Sequence, residues 1–275
     1  MTGMELSIII VSFNTRADLE RCLESVTAAP PAVAHEIIVV DNASHDGSPD
    51  AVRERWPAVR LLELPRNLGF AAANNAGIKV TTGELVLLLN SDTIVPSGAL
   101  DLLIARLRAH PDAAIAGPRL VDGAGKVELS VGPMISPLAE LQQKALMRLH
   151  HAGVAMASRA VERTTGKEYF VDWVSGAALL VYRRDAEAVG LLDERFFLYT
   201  EDVDFCAAIR ARGRRVLFTP AATITHLRGR SRATAPARMN AAYRRSQIAF
   251  YEKHHPRWAP VLRAYLRIKG QMPSA

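Results

Sequence analysis

The first half of the chain alternates uninterrupted apolar runs with stretches of helical spacing. Leu6–Val11, Glu36–Val40 and Leu85–Leu89 are mainly aliphatic runs without strict alternation, and Val59–Leu64, which contains Arg60 and Glu63, reads as a third strand between them. Runs of this length predict strands covered on both faces, as in a parallel sheet. Between them, Thr15–Val26 sets Leu19, Leu23 and Val26 at helical spacing, with Asn14 or Thr15 as the N-cap. Ser48–Arg55 predicts a short helix capped by Ser48 with Pro49 at its first position. Phe70–Val80, rich in Ala and Asn, and Ala99–Ala109 predict two more helices. Strands alternating with helices imply βαβ units and a mainly parallel sheet. Right-handed crossovers then gather the strand ends on one edge.

That edge collects Phe13-Asn14, Asp41-Asn42, Arg66-Asn67 and Asn90-Ser91-Asp92. Ligands of such sheets bind beyond the carboxyl ends of the strands. Asp and Asn also serve turns and helix caps, so residue type alone leaves both roles open. The first strand is followed by neither a GxGxxG turn nor a GxxxxGK[ST] loop, which argues against a dehydrogenase-type dinucleotide site and a P-loop.

The second half is less regular. Ile115–Leu120 and Val127–Val131 read as strands, Pro137–Val161 as helical and basic, and Val171–Tyr182 as a strand interrupted by Gly176. Asp185–Val189 reads as a short helix, and Thr200–Arg212 as a helix with Thr200 at its N-cap and Gly213 at its stop. Arg215–Thr219 is a strand, followed after Pro220 by Thr223-Ile224-Thr225-His226. Ala237–Lys253 and Pro260–Lys269 read as amphipathic helices. The His150-His151 pair has no metal-type spacing and receives no role.

At 275 residues and 49% apolar, the chain suits one large α/β domain or a domain with an appendage. No stretch approaches the roughly 18 apolar residues of a membrane span, and the first residues lack a secretory pattern. Cys22 and Cys206, far apart in sequence, read as buried free thiols, so a cytoplasmic setting is expected. The net charge of +6 is unevenly spread. From Cys206 onwards fifteen Lys and Arg face the single acid Glu252, so that part carries +14 and the rest −8. Such asymmetry suggests a face that meets something anionic: a ligand's phosphates, lipid headgroups or nucleic acid. A solvated basic helix paired with the acidic body is the plainer alternative.

Six segments, in order, resemble the family 2 inverting glycosyltransferases and their bacterial rhamnosyltransferase-like branch. They are Ser7–Asn14, Val39–Ser48, Asn67–Gly77, Leu89–Asp92, Phe196–Asp204 and His226–Ser231. The resemblance implies a GT-A-type nucleotide-sugar-binding fold over 1–231, with a donor half to about 115 and an acceptor half from 116. A basic helical C-terminal extension would occupy 232–275. It implies a nucleotide-diphosphate sugar as donor, a glycan or lipid-linked glycan as acceptor, and a divalent metal, Mn²⁺ or Mg²⁺, as cofactor. The nucleotide is expected to be a pyrimidine, with dTDP-rhamnose as the first guess.

By the same resemblance, Asp92 and His226 are metal ligands, and Asn90 stands where many members have Asp. Donor contacts fall to Phe13, Asp41, Asn67, Gly69, Asn74, Asn90, Ser91, Arg228 and Arg230, the last two on a loop suited to closing over the diphosphate. Asp202 is the base that deprotonates the acceptor hydroxyl, supported by Glu201 and Asp204 unless these serve the helix dipole. Trp173 and Gly176 face the acceptor, Trp173 being equally compatible with a core position. The basic helices would hold the enzyme at the inner face of the plasma membrane or form a homodimer contact. Nucleic acid is not expected as a partner. A nucleotidylyltransferase is disfavoured because no Gly-rich basic loop follows the first strand. A degenerate, non-catalytic sugar-nucleotide binder and a basic nucleic-acid-binding protein remain the competing readings.

Overall fold

The computed structural model describes residues 3–227 and 236–273. The first half runs β1 (Leu6–Ser12), α1 (Arg16–Ala28), β2 (His35–Asp41), α2 (Ser48–Arg55), β3 (Arg60–Glu63), α3 (Phe70–Ile78), β4 (Leu85–Asn90), β5 (Thr93–Ile94) and α4 (Ala99–Arg108). The second half runs β6 (Ala113–Val121), β7 (Val127–Glu128), β8 (Val131–Gly132), α5 (Pro137–His151), α6 (Ala155–Thr165), β9 (Tyr169–Val171), β10 (Trp173–Val174) and β11 (Ala178–Tyr182). It continues through α7 (Arg183–Ala188), α8 (Glu201–Ala211), β12 (Arg215–His226), α9 (Pro236–His254) and α10 (Ala259–Ile268).

The main sheet has the order β3-β2-β1-β4-β11-β6-β12-β5. β3, β2, β1 and β4 are parallel, as the alternating pattern requires. β11 is antiparallel to both β4 and β6, and β12 runs parallel to β6. Side chains alternate across the sheet, so each apolar run feeds two cores. Ile8, Ile10, Val39, Leu87 and Leu89 pack with α1 and α4 on one face. Ile9, Val40, Val86 and Leu88 pack with α3, α8 and Phe250 of α9 on the other.

Several second-half elements are more finely divided than their sequence pattern suggests. The apolar stretch around Gly176 splits into β9, β10 and β11, because β10 leaves the main sheet to pair with β8. Gly153 takes a positive φ of 77° and breaks the helical stretch into α5 and α6. Conversely, the two strand segments around Pro220 form the single strand β12, with a register shift between Thr219 and Thr223. The missing N–H of Pro220 is absorbed by that irregularity. Two caps also differ. Ser48 lies inside α2 behind Gly47, and the Thr15 hydroxyl bonds to Ser12 and Ser91 rather than capping α1. Both cysteines are free and buried, as expected.

The C-terminal helices are fastened to α8 by Asp204. This carboxylate is 2% exposed and accepts from Lys253 Nζ at 2.8 Å and His254 Nε2 at 2.6 Å. Lys253 also reaches Asp193 at 2.8 Å. Asp204 is therefore a docking anchor rather than a support for Asp202. Asp204→Ala removes the bonds from Lys253 and His254 and should cost about 2 kcal/mol, read as a lower urea midpoint. An unchanged midpoint would leave docking to the apolar contacts of Phe250 and Tyr251.

Candidate active site

The strand ends of β1, β2 and β4 carry polar residues because the preceding positions are filled with core side chains. Two loops latch the first wall. Asn14, at φ 53°, donates from its N–H to Ser44 Oγ at 2.9 Å and accepts from His45 N–H at 2.8 Å. The Arg16 N–H donates to Asp46 Oδ2 at 2.8 Å. Asp46-Gly47-Ser48 thus serves turn chemistry. Asp41, at the end of β2, is 2% exposed. Its Oδ2 accepts from the Ser44 N–H at 2.9 Å, whereas its buried Oδ1 has no hydrogen-bond partner. Phe13, at the end of β1, is 42% exposed at the rim.

Asn67 and Gly69 are positioned by Asn42, which the sequence patterns leave without a role. The Asn42 amide donates to Asn67 Oδ1 at 2.9 Å and accepts from the Leu68 N–H at 2.8 Å. Asn67 Oδ1 in turn accepts from the Gly69 N–H at 2.9 Å. Gly69 has φ 87°, and a Cβ there would lie 2.4 Å from the Phe197 carbonyl oxygen. Only glycine permits that approach. The Phe70 N–H donates to the same carbonyl at 2.7 Å, tying α3 to the segment that leads into α8. Asn74 is 1% exposed and bonds Phe70 O of its own helix at 2.9 Å. The neighbouring Asn75 does the long-range work, bonding Leu192 N and O and Glu194.

The third wall is Asn90-Ser91-Asp92. Immediately after it, β5 pairs with the end of β12, setting His226 opposite Thr93. His226 Nε2 lies 3.2 Å from Asp92 Oδ1 and 3.4 Å from Asn90 Nδ2. Its Nδ1 lies 3.3 Å from Oε2 of Glu128 on β7, itself only 4% exposed. Burial alone would lower the His226 pKa, but the hydrogen bonds and charges of Asp92 and Glu128 outweigh it and push it up to about 9. Without a cation the ring is an imidazolium between two carboxylates. Glu128 carries no sequence signal: it lies in a two-residue strand and meets His226 only through the pairing of β7, β6 and β12. His150 braces this corner, with Nδ1 3.0 Å from Ser158 Oγ and Nε2 3.1 Å from Val127 O.

A cation bound here would find the Asp92 carboxylate and, after loss of its Nε2 proton, the His226 imidazole. Asn90 Oδ1 is buried without a hydrogen-bond partner beside them. Among the described residues no group of three or more His, Cys, Asp and Glu can hold a metal. The protein would supply two ligands and a neutral oxygen, leaving further positions for phosphate and water. That donor set fits a divalent cation such as Mn²⁺, which accepts imidazole beside carboxylate.

Across the site, Asp202 sits in the first turn of α8. Its Oδ2 accepts from the Gly176 N–H and its Oδ1 from the Val203 N–H, each at 2.8 Å. Gly176 allows this closeness, since a Cβ there would lie 3.3 Å from Asp202 Cβ and 3.5 Å from Phe70 Cε1. The next residue, Ala177, accepts from the Asn90 N–H at 3.0 Å. Adjacent backbone groups of one turn thus hold Asp202 and Asn90. Burial raises the Asp202 pKa above its ordinary value, against the pull of its backbone donors. Glu201 is 5% exposed, with Oε2 lacking a hydrogen-bond partner. Burial and the neighbouring Asp202 charge push its pKa well up. Trp173 is 8% exposed, donates from its indole N–H to Pro133 O at 2.8 Å and packs on Gly132, so its ring belongs to the core here. Arg228 and Arg230 lie outside the described residues.

Polar groups gathered at the strand ends of a mainly parallel sheet define a ligand site of the α/β class. The chain belongs to glycosyl transferase family 2, whose family profile matches residues 7–166. An N-acetylglucosaminyl-diphospho-decaprenol L-rhamnosyltransferase of Mycobacterium tuberculosis is 30% identical, over 97% of this chain and 92% of that protein. The O-antigen biosynthesis protein RfbC of Myxococcus xanthus is 29% identical, over 94% of this chain but 20% of its own length. Among solved structures, mannosyltransferase PcManGT from Pyrobaculum calidifontis, in complex with GDP-Man and Mn²⁺, aligns with a TM-score of 0.61 at 20% identity. It covers 95% of this chain and 68% of that one. GalNAc-T7 with UDP, GalNAc and Mn²⁺ gives the same TM-score at 17% identity, covering 82% of this chain and 44% of that one. These two likenesses establish the fold.

Glu201 gives a test of the site's electrostatics. Its folded pKa lies above the unfolded value of about 4.3, so the folded state holds the proton more tightly. Stability therefore falls as pH rises from about 4.3 towards the folded pKa. Glu201→Gln should remove that fall, so the variant's urea midpoint should overtake the wild type's as pH rises to neutrality. Parallel midpoints across that range would mean the carboxyl is solvated.

Proposed function

We propose that the protein transfers one sugar, with inversion, from a pyrimidine nucleotide-diphosphate sugar to a glycan or lipid-linked glycan acceptor. The observation that carries this reading is the Gly176-Ala177 turn, whose adjacent backbone groups hold the Asp202 carboxylate and the Asn90 N–H. The acceptor hydroxyl oxygen attacks the anomeric carbon from the face opposite the nucleotide. Its proton passes to the Asp202 carboxylate. The bond from the anomeric carbon to the diphosphate oxygen breaks, and its electron pair leaves with the nucleoside diphosphate.

Asp202 suits the base because burial keeps its pKa high while Gly176 fixes its direction. The free Asp41 Oδ1 suits the N3–H of a uracil or thymine ring, which supports a pyrimidine nucleotide. A divalent cation held by Asp92 and His226 would neutralise the departing diphosphate. Glu128 would keep the His226 ring turned so that Nε2 faces that cation. The name of the mycobacterial relative favours rhamnose as the sugar and a lipid-linked diphosphate glycan as the acceptor. dTDP-rhamnose is the first donor to test.

A thermal-shift comparison of dTDP, UDP and GDP, each with and without Mn²⁺, tests the donor site, because ligands that bind only the folded state raise its melting temperature. A rise with dTDP or UDP that needs the metal is expected; no rise with any nucleotide would overturn the donor reading. Asp92→Ala should abolish the metal-dependent part of that rise, and an unchanged rise removes Asp92 from the site.

Asp202→Asn should keep the nucleotide-induced rise and lose about 10²- to 10⁴-fold in turnover. Because Asp202 works ionised, wild-type kcat should climb with pH through a pKa above the usual value of about 3.9. A kcat that stays flat from pH 4 upwards would place the base elsewhere.

A further inference from the structure

We propose that α5 and α10 together form a docking face for an anionic lipid bilayer. Along α10, Trp258, Val261, Tyr265 and Ile268 are 51%, 55%, 51% and 85% exposed. Their spacing of three, four and three residues makes one apolar stripe. The helix buries its other side, Ala259 and Leu266, at 5% and 0% exposure. Across a groove of about 1250 Å³, Leu141 of α5 adds a 66% exposed side chain. A soluble surface rarely gathers so many large apolar groups without an occupant.

The charge around the stripe selects that occupant. Arg257 and Lys269 lie beside it along the helix, and Arg244 lines the groove. The nearby acids are already engaged. Glu140 accepts from Lys144, Tyr243, Gln247 and Tyr251, and Glu252 pairs with Arg263. The face therefore offers cations to phosphate headgroups and an apolar stripe to the acyl boundary, with Trp258 and Tyr265 suited to the level between. A second copy of the chain in a two-fold dimer would set this cationic surface against itself. Nucleic acid would leave the apolar stripe uncovered.

The face adjoins the catalytic segment. Tyr243, on the groove wall, packs edge-on against Tyr199 at 5.7 Å, and Ser246 Oγ donates to Leu198 O at 2.7 Å. A docked bilayer would thus lie beside the residues leading into Asp202. The inference stands independently of the donor reading, since it concerns a surface that binds no nucleotide.

Flotation of the full chain with vesicles of phosphatidylglycerol or phosphatidylcholine tests it. Wild type should bind the anionic vesicles at least tenfold more tightly, and less so at high salt. The double variant Val261→Glu/Ile268→Glu should lose at least tenfold in binding with an unchanged melting temperature and unchanged nucleotide-induced shift. Should that variant fold poorly, Arg257→Glu/Lys269→Glu alters only exposed cations and should show the same loss. Absent wild-type binding, equal binding to both vesicle types, or variants that float as wild type does would each overturn the proposal. So would a wild-type dimer in sedimentation that the apolar variant dissociates.

Discussion

Everything at the site depends on β4 being buried on both faces. Leu85 to Leu89 are at most 1% exposed, wedged between β1 and β11 and covered by helices above and below. No polar side chain can be tolerated along that strand without a partner. The first position free to carry one is its end, where the sheet stops and Asn90-Ser91-Asp92 begins. The same constraint sends Asp41 to the end of β2 and Asn14 beyond the end of β1. Core packing thus assembles a polar edge as the complement of an apolar interior.

The parallel half was legible in the sequence because its signal is local. Strands β1, β2 and β4 are mainly aliphatic runs, a helix follows β1 and β2, and the polar residues that matter close each run. The antiparallel half was not, because its elements are short and take their shape from distant partners. β10 has two residues and exists only because β8 lies beside it. Glu128 reaches His226 through three strands, a relation that no spacing encodes. Asn42 and Asn75 resemble any loop or helix asparagine until Asn67, Leu68 and Leu192 are seen to depend on them. Asp204 read as part of an acidic cluster at a helix start, whereas its carboxylate is turned towards Lys253 and His254. Trp173 illustrates the limit of residue type, since an indole suits a sugar face and a core equally and only the Pro133 carbonyl decides.

The two sides of the site are joined by very little chain. Gly176 and Ala177 hold Asp202 and Asn90, and Gly69 rests on the backbone of Phe197. At Gly69 a β-carbon would lie 2.4 Å from the Phe197 carbonyl oxygen and force the walls apart, whereas at Gly176 it would meet Asp202 Cβ at 3.3 Å, a tight contact. The segment leading into α8 is thereby registered against α3 through backbone contact.

Tyr199 and Thr200 occupy the left-handed region in succession, at φ 71° and 66°. Each such residue costs about 1–2 kcal/mol, so the approach to Asp202 is held like a bent spring. Its latches are the bonds from Phe70 N–H to Phe197 O and from Ser246 Oγ to Leu198 O. If either latch opened, the stored strain would favour relaxation of the segment that leads into Asp202 while the sheet stayed intact.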